Sequence, residues 1–147
     1  MADDRVIVFP TDFSELSASA VDWAMKMAAS QDAELHCVHV VEEPHVYGML
    51  DLGPVELPSA SELTGWATER LEQYAARYFA GLARPAVAKV LVGRPSEEIV
   101  NYASDHGAAM IVMTTHGRSG VRHLLLGSTT QAVLRQAPCP VLSIRIA

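Results

Sequence analysis

The sequence predicts an α/β fold, a parallel sheet with helices on both faces, from three observations. Apolar runs of strand length alternate with segments of helical periodicity along the chain. Two of the runs, Arg5 to Phe9 and Ala108 to Val112, are continuously apolar after their first residue, as expected of strands covered on both faces. Most of the connections carry glycine, proline or a helix-capping residue where the period changes.

The elements follow in order. Arg5 to Phe9 is the first strand. Ser14 can cap a helix to about Ala29, with Leu16, Ala20, Trp23, Ala24 and Met27 on one face. Glu34 to Val41 is the second strand. Residues 42–58 carry Pro44, Gly48, Gly53, Pro54 and Pro58 and read as a long surface loop. Ser59 with Glu62 is a capping-box pattern, opening a helix with Leu63, Ala67, Leu71, Tyr74 and Tyr78 on its inner face and an end near Gly81. Ala86 to Val92 is the third strand, and Ser96 caps a helix that Gly107 ends. The fourth strand covers 108–113, a helix runs from about Ser128 to Ala137, and the last strand covers 140–146.

Composition bounds the function. The 147 residues suit one domain, and 50% hydrophobic content suffices for a substantial core. A formal net charge of −6 gives a nucleic-acid role no electrostatic support. The acidic start Met1-Ala2-Asp3-Asp4 is unlike a signal peptide, and no apolar stretch is long enough to span a membrane. Cys37 and Cys139 fall in or beside strands, as small core residues of a reducing compartment do; a disulfide is the alternative. A soluble cytoplasmic protein is the expectation.

The most informative segment is the loop at 113–130. A strand, a glycine-containing loop and hydroxyl residues opening a helix form a phosphate-binding arrangement. Glycines let the backbone approach the anion, and the helix N–H groups and dipole face it. Ser128, Thr129 and Thr130 add hydroxyls, and Arg118, Arg122 and His123 add positive charge. Ser128 also suits the helix cap, a role compatible with a phosphate ligand at the same helix end. Neither the P-loop nor the dinucleotide fingerprint is present. Instead nine residues separate Gly117 from Gly127, and Ser128 follows. His116 and His123 lack the spacing of a zinc site.

That loop resembles the universal stress protein family, whose ATP-binding branch carries Gly-x2-Gly-x9-Gly-Ser/Thr. Gly117, Gly127 and Ser128 match, while Thr114 stands where the first glycine falls. The resemblance extends to Arg5-Val6-Ile7-Val8-Phe9-Pro10-Thr11-Asp12-Phe13-Ser14, to Leu35–Val41, to Gly93-Arg94-Pro95-Ser96-Glu97-Glu98-Ile99 and to Ala137-Pro138-Cys139-Pro140-Val141-Leu142-Ser143-Ile144. It implies one domain over 1–147, a doubly wound, Rossmann-like five-stranded parallel sheet of order 3-2-1-4-5. Strands one and four then lie side by side, so that Asp12 and Thr114 face one crevice. The resemblance further implies ATP, with Mg²⁺ carried by its phosphates. Pro10, Thr11, Asp12 and Val40 would lie around the adenosine and Met113 near the ribose or base. His116, Gly117, Arg118, Gly127, Ser128, Thr129 and Thr130 would lie along the phosphates. Asp12 has an alternative role as a helix cap. A threonine at 114 disfavours positive φ, so it alters affinity if the site needs that conformation, or offers its hydroxyl to the ribose if the backbone stays extended. A homodimer through strand 140–146 is implied, with no nucleic-acid or membrane partner. The expected function is a nucleotide-dependent regulator or sensor in stress response. Its alternatives are a slow ATP hydrolase at the same site and a nucleotide-free dimeric interaction module.

Overall fold

A computed structural model describes residues 5–42, 58–116 and 126–145. The expected loop at 42–58 (apart from its two end residues), Gly117, Arg118, Arg122, His123 and the last residue of the expected strand 140–146 lie outside the described residues.

The element order is β1 Val6–Pro10, α1 Glu15–Ala18, α2 Val21–Gln31, β2 Glu34–Val41, α3 Ala60–Tyr78, β3 Val87–Val92, α4 Pro95–Asp105, β4 Met110–Thr114, α5 Ser128–Gln136 and β5 Val141–Ile144. All strands are parallel, in the order β3-β2-β1-β4-β5. Strand alternation sends side chains to two cores, as a doubly covered sheet requires. Ile7, Phe9, Leu35 and Cys37 pack against α2 and α3 residues such as Ala24, Ala28 and Leu71. Val6, Val8, Val38 and Ile111 pack against Ile99, Tyr102 and Ala103 of α4 and Val133 of α5.

Three local readings change. The helix expected from Ser14 to Ala29 is two helices. Ser14 does cap the first, its hydroxyl accepting from the Ser17 N–H at 3.2 Å. The break falls at Ser19–Ala20, where the Ser17 and Ser19 hydroxyls donate to the carbonyls of Ser14 and Leu16, competing with the regular ladder. Trp23, expected on the buried face, is 44% exposed with Lys26 Nζ 5.0 Å from its ring centroid. Ala20, Val21, Ala24 and Ala28 form the buried face instead. The cap of α4 is Arg94 rather than Ser96, because Pro95 with its fixed φ takes the first helical position. The capping box of Ser59 and Glu62 is present as expected.

The buried His36, at the start of β2, lies 2.6 Å from both the Tyr102 hydroxyl and the Glu34 carboxylate. This polar cluster sits at the strand N-termini, opposite the end where the site residues gather. Among the described residues, no helix is long and apolar enough to cross a membrane.

Candidate functional site

β1 and β4 are neighbours whose onward connections diverge, to α1 on one side and towards α5 on the other. The carboxyl ends of their strands open a crevice of about 270 Å³. Pro10, Thr11, Asp12, Val40, Met113, Thr114, His116, Gly127, Ser128, Thr129 and Thr130, all expected site residues, line it. Gly117 and Arg118, also expected site residues, lie outside the described residues. The structure adds Ser17, Val38, His39, Pro95 and Ile99 to the lining.

The turn after β1 forms one wall. Asp12 Oδ1 accepts from the Ser14 N–H at 2.9 Å and from the Ser14 hydroxyl. This is an Asx turn one step ahead of the helix, so the cap itself belongs to Ser14 and not to Asp12. Phe13 adopts φ 65°, which costs a bulky side chain about 1–3 kcal/mol. Its N–H donates to Thr11 Oγ1 at 3.0 Å, and its ring lies 4.2 Å from that of His39. His39 Nδ1–H donates to the Thr11 carbonyl at 2.7 Å, which orients its ring at the crevice edge. Behind the wall, Thr11 Oγ1 lies 2.8 Å from Ser17 Oγ, and Ser17 Oγ lies 3.2 Å from the Tyr74 hydroxyl. Burial pushes the Tyr74 phenol above its usual range, opposed by the hydrogen bonds to Ser17 and Thr11.

The opposite wall is the end of β4 and the start of α5. Thr114 is the last residue of β4 and is buried; its φ is not positive. Its hydroxyl donates to the His116 carbonyl at 2.7 Å, and its own carbonyl accepts from the Thr130 hydroxyl at 2.8 Å. The missing glycine is therefore accommodated by extended backbone, with the threonine tied into the loop. The N-cap of α5 is Gly127, with no side-chain cap, and Ser128 is the first helical residue rather than the cap. Gly127 N–H donates to the Thr115 carbonyl at 2.7 Å, bringing the helix start against the strand end. The amides of Ser128, Thr129 and Thr130 precede the first intrahelical donor, Gln131 N–H to the Gly127 carbonyl. An uncapped helix start beside three hydroxyl residues is a site for an anion.

The described lining contains no lysine or arginine. Attraction for a phosphate there rests on helix dipoles, backbone amides and hydroxyls. α4 also starts at the crevice, with Pro95 in its first turn. Pro95 was accessible to sequence reasoning, since the Gly93-Arg94-Pro95 connection stands out. Val38 and Ile99 read only as core, and nothing in their spacing marks them as lining. Cys37 and Cys139 are both free thiols. Among the described residues no cluster of metal-ligating side chains occurs.

A family model for the universal stress protein family matches residues 5–145. Universal stress protein MJ0531 of Methanocaldococcus jannaschii is 33% identical over 143 residues, covering 96% of this chain and 82% of its own. Universal stress protein UspA from Lactobacillus plantarum superposes with a TM-score of 0.76 at 26% identity, over 99% of this chain and 100% of its own. A universal stress protein solved in complex with cAMP superposes with a TM-score of 0.69 at 25% identity, over 97% of this chain and 98% of its own. The fold, the strand order and the sequence agree, and the chain belongs to the universal stress protein family.

Proposed function

We propose that the crevice binds an adenine nucleotide, ATP with Mg²⁺ carried by its phosphates, and that the protein acts as a nucleotide-dependent regulator or sensor in stress response. One observation carries this reading. The turn after β1 and the uncapped start of α5 line a single crevice of about 270 Å³, at the carboxyl ends of adjacent strands. The cAMP complex of a structurally similar family member supports an adenine nucleotide.

The residues divide the task. Asp12, with Pro10, Thr11 and Val40 around it, accepts from adenosine hydroxyl or amino groups. Met113 and Ile99 supply apolar contact. Ser128, Thr129 and Thr130 offer amides and hydroxyls to phosphate oxygens, with Gly117, Arg118 and His116 on the loop side. A backbone and hydroxyl cradle suits an exchangeable ligand, which a sensor requires. The protein acts in the cytoplasm as a homodimer paired through the edge strand β5, a strand with one sheet neighbour.

Hydrogen exchange with and without MgATP tests the reading. The amides of 128–130 are expected to gain protection, and the loop at 42–58 to change with them if occupancy is signalled. Unchanged exchange at 128–130 under saturating nucleotide rejects the site; change there with none at 42–58 rejects that loop as the signalling element.

A further inference from the structure

A second cleft, of about 300 Å³, lies between the turn after β1 and the outer face of α3. Arg70, Gln73, Tyr74, Arg77 and Tyr78 line it at i, i+3, i+4, i+7 and i+8, one continuous helical face. Across from them stand Phe13, Ser14 and Glu15. Neither arginine has an acidic residue at helical spacing: the neighbouring positions hold Trp66, Ala67, Gln73, Tyr74, Ala80 and Gly81. No salt bridge engages either guanidinium among the described residues. This is notable in a chain with 17 acidic residues and 11 lysines and arginines.

Both guanidinium groups lie over aromatic rings. Arg70 Cζ is 4.5 Å from the Phe13 ring centroid, and Arg77 Cζ is 5.2 Å from that of Tyr78. A guanidinium held over a ring by cation–π attraction still has N–H donors for an oxyanion, and the contact limits the freedom it loses on binding. The supporting ring of Phe13 is itself held in the unusual φ of 65° and packed between Arg70, His39 and Tyr74. A strained backbone residue whose side chain backs a cation with no ion pair among the described residues is the kind of outlier that accompanies ligand sites.

We propose that this cleft is a second anion site, separate from the nucleotide crevice, and that it takes a small diphosphate-type anion gripped by Arg70 and Arg77. Its volume is at the low end of small-molecule pockets, which suits a compact ligand over a protein segment. Each of the two planar forks can give one phosphate group a bidentate pair, so a ligand with two phosphate groups uses both. Gln73 lies between them on the same face and offers an amide donor. Glu15 lines the cleft as well, and its charge opposes any anion beyond what two guanidinium groups offset. The site shares a wall with the crevice, through the Thr11–Ser17–Tyr74 hydroxyl chain.

The test is a titration of inorganic pyrophosphate into the full chain, read by NMR at the arginine Nε–Hε groups and the backbone amides. Saturable shifts at Arg70 and Arg77 are expected, and they persist in Gly127→Glu, which blocks the crevice. The double variant Arg70→Lys, Arg77→Lys keeps the charge but loses the forks, and is expected to bind at least about tenfold more weakly. Glu15→Gln is expected to tighten binding severalfold. Shifts confined to 128–130 and abolished by Gly127→Glu would overturn the proposal. So would non-saturating shifts at the two arginines, or full affinity in the double lysine variant.

Discussion

Thr114 is the residue at which this chain leaves the family's glycine pattern, and its geometry shows how the change is accommodated. Its backbone continues β4, and its hydroxyl is spent on the His116 carbonyl at 2.7 Å. Thr114→Gly removes that tether and frees the strand end. Stability is expected to fall by about 1 kcal/mol, read as a shift in denaturation midpoint. Thr130→Val is expected to cost about 1–2 kcal/mol, because it removes the buried donor to the Thr114 carbonyl. The thiols give a pH prediction. Burial pushes the Cys37 thiol from 9.0 up to about 12. The unfolded chain therefore loses that proton at lower pH than the native one, so the contribution is complete below pH 9.0 and is lost as pH rises towards about 12. Mass spectrometry after alkylation in mildly alkaline buffer is expected to find Cys139, which is half-buried, modified well before Cys37. Equal rates would contradict the buried placement.

The elements show where sequence was sufficient and where it was not. β2 and the capping box of α3 fall where their patterns place them, since each rests on signals a few residues apart. The split between α1 and α2 was hidden because Ser17 and Ser19 have unremarkable spacing, and their competition with the helix ladder depends on rotamer. Trp23 was misplaced for a related reason: the break turns α2 so that small alanines face β1, and the large ring is left outside. At α5, serine suggested a cap, yet the chain places Gly127 there with φ −67°. That φ does not require glycine, so Gly127→Ser is expected to change stability by only a few tenths of a kcal/mol. If glycine is kept for ligand approach, the same variant weakens nucleotide binding. A calorimetric titration beside a melt separates the two effects, and unchanged binding would assign Gly127 to the turn alone.

At the scale of the whole molecule, sequence alternation supports a parallel sheet, but the strand order came from the family resemblance. The meeting of Asp12 with Thr114, over a hundred residues apart, depends on that order. Eleven of the expected site residues line the crevice, whereas Val38 and Ile99 joined it only through packing. The edge strand makes a further prediction. The carbonyls of Pro140 and Ile144 accept from the N–H groups of Ile111 in β4 and of Thr115 just after it, so by strand alternation the Ser143 N–H points to the open edge. Ser143→Pro removes that donor and is expected to convert a β5-paired dimer to monomer in sedimentation, with the melt little changed. A wild-type monomer, or a dimer indifferent to the substitution, would locate self-association elsewhere. The central claim is tested most directly by calorimetric titration of MgATP into protein stripped of bound nucleotide, with Gly127→Glu alongside. Saturable binding that the substitution abolishes is the predicted result. No heat with MgATP, and no competition from other adenine nucleotides, would contradict a nucleotide crevice and leave the nucleotide-free interaction module as the better account.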